Sequence, residues 1–255
     1  MTVGPITAIA RQDLRILRTD FVPVTLLIIL PLLLMPFLRP AFKLALTLEG
    51  VQGATGAEQV VPGMAVTFGF FLVSNVSLGF YREHGWNTWD RLRVSTGSAA
   101  DIVVGKMVVP LLQAVAQFVV LFVLGGAWMG LHVRGSWLAL CAVGAAFGFY
   151  LVTTGLAVTA LCRTSMQATA VANIGALLLA GLAGALVPYK LLPAWAHYIS
   201  PAVPSYWAME GYRHAILGGS GNVTTPIVVL LGFSGVSAFI AAIRLRLGDS
   251  KAGFA

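Results

Sequence analysis

The 255-residue chain is 58% hydrophobic and only 10% charged, with a formal net charge of +7, whereas ordinary soluble domains carry roughly 25% charged residues. So few polar groups cannot cover a globular surface in water, which excludes a soluble enzyme or binding domain and leaves a polytopic membrane protein. The basic excess is scattered between apolar runs, so it bears on topology and not on a nucleic-acid partner.

Residues 1–20 read as a basic amphipathic helix lying in the membrane interface. Arg11, Arg15 and Arg18 recur at one-turn spacing, while Ile6, Ile9, Ala10, Ile16 and Leu17 spread over the other side. Asp13 interrupts the apolar side, so part of that side is expected to meet protein. No small-residue cleavage site follows a short apolar core, so the first span is expected to be retained.

About 20 apolar residues, each rising about 1.5 Å, cross the hydrocarbon core. Six stretches qualify, near 21–41, 60–81, 104–130, 137–161, 166–188 and 225–243. Lipid offers backbone groups no outside partner, so these spans are helices and the fold class is all-α integral membrane. The first span carries Pro23, Pro31 and Pro36, each of which removes a backbone donor and bends a helix. A kinked pathway wall and bent packing fit that pattern equally well.

A polar segment separates the second span from the third. Residues 82–95 include Arg82, Glu83, Asp90, Arg91 and Arg93. Asn87 or Thr88 can cap a short helix with Asp90 in its first turn. Trp86, Trp89 and Leu92 recur every three residues and form one apolar ridge, beside which Asp90 and Arg93 can pair. Ser98, with Asp101 three residues on, opens a second helix that runs into the third span. A loop between adjacent spans needs only a few residues, so a surface helix over 83–96 is favoured over a loop whose tryptophans sit in an aromatic belt.

Small residues punctuate the later spans as Gly126 and Gly130, Gly144 and Gly148, and Ala180 and Gly184. One-turn pairs of this kind let helix backbones approach closely, and packing within the subunit is favoured over contact with a second copy. Beyond the fifth span, residues 189–224 carry Trp195, Tyr198, Tyr206, Trp207 and Tyr212, aromatics suited to a membrane–water boundary. Glu210 and Arg213 are three apart and are expected to pair. The second reading is an outer gate of Trp195, Tyr206, Trp207, Glu210 and Arg213.

Placing both ends in the cytoplasm puts 11 of the 16 basic residues inside and leaves Arg39, Lys43, Arg134, Lys190 and Arg213 outside. That excess sets the orientation, so the polar segment and the 244–255 tail are expected in the cytoplasm of a bacterial inner membrane.

Phe80-Tyr81-Arg82-Glu83, then Thr88-Trp89-Asp90-Arg91-Leu92-Arg93-Val94-Ser95, then Gly105-Lys106, resemble the signature of ABC-2-type exporter permeases. A second stretch, Leu192-Pro193-x-Trp195, Ser200-Pro201, Pro204-x-Tyr206 and Glu210-x-x-Arg213, is similar to that family's outer region of short re-entrant helices. Asn87 stands where the family often has Gly, and Thr96 where it often has Pro. The resemblance implies six spans, a type V exporter-like arrangement, and a coupling helix between spans two and three that contacts an ATPase. Glu83, Trp86, Thr88, Trp89, Asp90, Arg91, Leu92 and Arg93 are the residues it assigns to that contact. It also implies two permease copies, identical or homologous, with two copies of an ATPase chain that binds ATP and Mg.

No Gly-x-x-x-x-Gly-Lys-Ser/Thr occurs, so this chain is not expected to be an ATPase or to hold a cofactor. None of the nine acidic residues falls in the middle of a span, which counts against a proton-coupled secondary carrier. His84, His132, His197 and His214 are spread over both faces, so no metal site is expected. Cys141 and Cys162 are read as small buried hydrophobes. Ser74, Asn75, Ser77, Gln113, Gln117, Thr153, Thr154 and Asn173 are isolated polar residues on spans and the candidate substrate-pathway contacts. An apolar pathway suits a hydrophobic or amphipathic cargo such as a drug, antibiotic or lipid, with polysaccharide or glycolipid export as the alternative.

Overall fold

The structure is a computed structural model and describes residues 3–19, 22–85, 99–218 and 221–244. Helix α1 is Val3–Thr19, α2 Val22–Leu48, α3 Ala57–Gly85 and α4 Ala99–Val120. A π-helical turn, Leu121–Gly125, carries α4 into the short α5, Gly126–Met129. Then come α6, Trp137–Leu161, α7, Ser165–Leu182, and two short helices, α8, Ala194–Ile199, and α9, Pro204–Leu217. Helix α10 is Thr224–Arg244. Six of these segments are long and apolar enough to cross a membrane, α4 and α5 counting as one.

The spans alternate in direction. Helix α1, the C-terminal ends of α3, α6 and α10, and the N-terminal end of α4 gather at one end of the bundle. Helices α8 and α9 and the α2–α3 connection gather at the other.

Helix α3 is the axis of the bundle. Of its most apolar stretch 89% is buried, against 17% for α2, 28% for α7 and 22% for α10. The outer helices turn residues such as Leu33, Phe37, Leu138, Leu178 and Phe239 outward, as lipid-facing surfaces should. The core is aromatic, with the Phe70 ring edge-on to Phe147 at 5.5 Å and Phe118 stacked on Phe147 at 5.9 Å. Close approach of α3 and α6 depends on Gly155, where a Cβ would lie 2.5 Å from that of Val76, and the Ser77 hydroxyl donates to the Gly155 carbonyl at 3.0 Å.

Several backbone debts are settled by neighbours. Pro31 has no N–H to return to the Leu27 carbonyl four residues earlier, and the Gln117 amide of α4 donates to that carbonyl at 3.3 Å. The last carbonyls of a helix lack internal donors. In α7 the Leu179 and Leu182 carbonyls each accept a serine hydroxyl at 2.6 Å, from Ser205 and Ser200. Glu58 folds back to accept from the Thr55 and Gly56 amides at 3.1 and 3.0 Å, while Thr55 Oγ1 accepts from the Ala57 amide at 3.2 Å. This variant of the capping box opens α3.

Some boundaries differ from the sequence expectation. The first spanning helix runs seven residues further, to Leu48, and passes through a third interior proline, Pro40. The fifth stops at Leu182, because Gly184 takes a left-handed φ of +74° and turns the chain under Tyr189. Cys141 is exposed and Cys162 half-buried, correcting the reading of both as buried. Cys141 lies on the side of α6 that also carries the exposed Leu138.

Candidate functional site at the α1 end

At the α1 end one lysine joins three elements. Lys106 Nζ of α4 lies 2.6 Å from a Glu83 carboxylate oxygen of α3 and 2.8 Å from an Asp13 oxygen of α1. All three side chains are largely withdrawn from solvent, Lys106 at 4%, Glu83 at 1% and Asp13 at 16% exposure. Asp13 thus meets protein on the apolar side of α1, as its position requires. Burial pushes its carboxyl pKa up, against the lowering effect of Lys106, and the nearby Glu83 charge adds to the rise.

The residue before Lys106 makes this contact possible. A Cβ at Gly105 would lie 3.0 Å from Ile9 Cβ and 3.1 Å from its Cγ2, so the bare backbone of α4 lets α1 sit against it. The Gly105-Lys106 pair therefore seats α1 sterically and holds it electrostatically. At the same end the Tyr81 hydroxyl donates to the Cys162 carbonyl at 2.8 Å, tying α3 to the end of α6. The chain between α3 and α4 leaves from this braced base.

Of the residues assigned to ATPase contact, Glu83 is turned into the base of the bundle and bonded to Lys106. Trp86, Thr88, Trp89, Asp90, Arg91, Leu92 and Arg93 lie outside the described residues, as does Ser98.

The candidate pathway residues do not form one lining. Ser77 is spent between α3 and α6, Gln117 on the α2 backbone, and Ser74 and Thr153 on carbonyls of their own helices. Thr154 lies 3.2 Å from the Ser237 hydroxyl of α10. Asn173 is half-buried on α7 and its Oδ1 is buried without a partner. Asn75 and Gln113 share a cleft beneath α1 with Asp13, Arg82, Glu83 and Lys106. Among the described residues no cluster of His, Cys, Asp and Glu could hold a metal ion.

At the far end the expected Glu210–Arg213 pair is corrected. Arg213 donates to Glu49 at the end of α2 at 2.7 Å, and Glu210 lies 3.0 Å from His214 one turn on. Glu49 is 7% exposed and Arg213 reaches it across the bundle, a partner that spacing within α9 could not reveal. Tyr206 packs tilted against Tyr189 at 5.5 Å and edge-on to Trp207 at 5.4 Å. Trp207 donates its indole N–H to the Pro201 carbonyl at 2.9 Å, whereas Trp195 is 60% exposed. The aromatics of the second reading thus split into a packed group and one outward ring.

The capping box Thr55-Gly56-Ala57-Glu58 and the structural use of Lys106 were missed in the sequence. The first was visible as Thr-x-x-Glu before an apolar run. The second had no local signal, since Asp13 and Glu83 are far from Lys106 along the chain.

Two relatives are similar to this chain, the probable multidrug ABC transporter permease YbhR of Escherichia coli K12 and its counterpart in the O157:H7 strain. Each is 30% identical over 188 residues, which is 71% of this chain and 50% of the relative. The chain therefore spans about half the length of these curated relatives. Residues 6–217 match the ABC-2 type transporter family, a match that runs from the interfacial helix through all but the last span, and the chain belongs to that family.

Proposed function

We propose that this chain is the membrane-spanning permease part of an ATP-driven exporter, energised by a separate ATPase and working with a second permease copy. The α1 end faces the cytoplasm, and the polar segment that follows α3, within the 83–96 stretch, supplies the coupling helix that the ATPase pushes. Hydrophobic or amphipathic molecules, as the word multidrug in the relatives' name suggests, are the cargo.

The observation that carries this reading is the Lys106 brace. A segment pushed from outside the membrane does work only if its base is stiff, and here both of its flanking helices are joined through one lysine to each other and to α1. Helix α3, which leads into the segment, is also the most buried span, so its displacement would be felt by every helix packed on it. Trp86, Trp89 and Leu92 would fill an apolar groove in the ATPase, and Arg91 and Arg93 would meet acidic groups at the rim.

Arg91→Glu is expected to abolish stimulation of ATP hydrolysis in the assembled complex and to leave membrane insertion intact, read by phosphate release from co-purified complexes. Retention of coupled ATPase activity and transport in that variant would sink the assignment.

A further inference from the structure

Helix α1 has two unlike sides. Ile9 packs on Gly105, Asp13 bonds to Lys106, and Ile16 and Leu17 line the cleft shared with α3 and α4. Ile9 is buried, and Ile6, Leu14, Ile16 and Leu17 are half-buried. The apolar side is therefore committed to protein rather than offered whole to lipid. On the other side Arg11, Arg15 and Arg18 are exposed, with Thr7 and Ala8 beside them. At 3.6 residues per turn the three arginines fall within roughly 60° of one another and make a row about 10 Å long. None of them has an ion-pair partner among the described residues. Asp13, the one acid among residues 3–19, lies on the opposite side and is held by Lys106, so it does not neutralise the row.

The depth of the row follows from α4. The spanning segment Ala100–Met129 holds 30 residues, roughly 45 Å of helix against a hydrocarbon core of about 30 Å. Shared between the two ends, the excess leaves about five residues each at headgroup level. Gly105 and Lys106, on which α1 rests, stand at that boundary, and α2 begins at Val22, shortly after Arg18. Exposed guanidinium groups at this level meet lipid phosphates, whose oxygens suit the planar fork of arginine in a two-point contact.

We propose that the Arg11–Arg15–Arg18 face of α1 binds the phosphates of anionic phospholipids in the leaflet at the α1 end. Because protein holds the apolar side, burial in lipid adds little, and the grip of α1 on the bilayer is set by headgroup charge. Each basic residue beside an anionic surface strengthens binding about fivefold, equivalent to about 1 kcal/mol. With phosphates on one side and Lys106 on the other, α1 is clamped from both sides, so the Lys106 brace is firmer in an anionic bilayer. The proposal stands apart from the exporter reading, since it needs only that the spans lie in a bilayer.

The test is photolabelling of the full chain in nanodiscs of equal parts phosphatidylglycerol and phosphatidylcholine, with one or the other lipid carrying a diazirine next to its headgroup. Labelled peptides are mapped by mass spectrometry. Residues 3–19 are expected to take the phosphatidylglycerol label about tenfold or more above the phosphatidylcholine label. Arg15→Gln should lower that ratio about fivefold, and Arg11→Gln, Arg15→Gln and Arg18→Gln together should bring it near unity. If the triple variant does not fold, salt decides on the unaltered chain: at about 1 M sodium chloride, where screening acts beyond about 3 Å, the ratio should fall severalfold. Equal labelling by the two lipids, or a preference that survives in a folded triple variant or at high salt, overturns the proposal. Abolition by millimolar inorganic phosphate would mark a site for a free anion and also overturns it. So does loss of the preference in a complex with co-purified ATPase, which would show that the row faces that partner.

Discussion

Lys106 balances two acids supplied by two other helices, and its removal is therefore costlier than removal of either acid. Lys106→Met leaves both carboxylates buried without their ammonium and is expected to cost about 3–5 kcal/mol, seen as a lowered melting midpoint in detergent. Adding Asp13→Asn and Glu83→Gln to that variant should recover most of the loss. The pH dependence follows from the raised Asp13 pKa. Docked α1 holds the Asp13 proton more tightly than free α1, so this group favours docking most below its ordinary value of 3.8 and loses that contribution as pH rises through its docked pKa. Asp13→Asn should remove that dependence in measurements of α1 accessibility. At this scale the sequence disclosed that Asp13 must meet protein, because it breaks an otherwise apolar face. It could not disclose Lys106 as the partner, and it mispaired Arg213 with Glu210, because long-range ion pairs leave no trace in local spacing.

Helices were more legible than their contacts. All six spans could be located from apolar length, and of the one-turn small-residue pairs Gly144 and Gly148 pack against other helices of the subunit, whereas Gly130 and Gly184 take left-handed φ at turns. Gly148 admits the Ala114 methyl at 3.3 Å, and Gly144 lies beside Phe118 and the Tyr212 hydroxyl. Gly155 was not among those pairs, yet it is the tightest glycine on α6, because closeness depends on what the partner helix presents. Two substitutions on this one helix separate the effects. A Cβ at Gly144 finds its nearest neighbour at 3.5 Å, whereas one at Gly155 would meet Val76 at 2.5 Å. Gly155→Ala should therefore destabilise by about 1–3 kcal/mol through overpacking, while Gly144→Ala should be neutral or stabilising, by up to about 1 kcal/mol, from reduced backbone freedom. Parallel thermal melts of the two variants check the contrast, and equal midpoints would contradict it. The prolines of α2 make the same point: their bending effect was legible, but the donation from Gln117 to the Leu27 carbonyl needs the fold.

Over the whole molecule, the alternation of spans brings the first spanning helix and the penultimate helical segment together at the far end, through Glu49 and Arg213. Arg213 is 37% exposed, so solvent screens the pair and its coupling should be modest, about 1 kcal/mol or less. A double-mutant cycle of Glu49→Gln and Arg213→Gln measures it, and a coupling near zero would show that the contact is incidental to stability. The positions of the spans were readable from apolar lengths, since these follow from the bilayer as solvent. Tertiary ties between distant segments were not, since each satisfies a residue that already looks complete in its own helix.

The serine hydroxyls at the end of α7 carry a kinetic consequence. Ser200 and Ser205 take up carbonyls of the final turn, while the Ala183, Gly184 and Ala185 amides close back onto Leu179, Gly181 and Ala180. That turn cannot fray alone, because unwinding it must also release the chain that follows. Amide hydrogens of residues 183–185 should therefore exchange with solvent at one shared rate, set by the lifting of the α8–α9 segment.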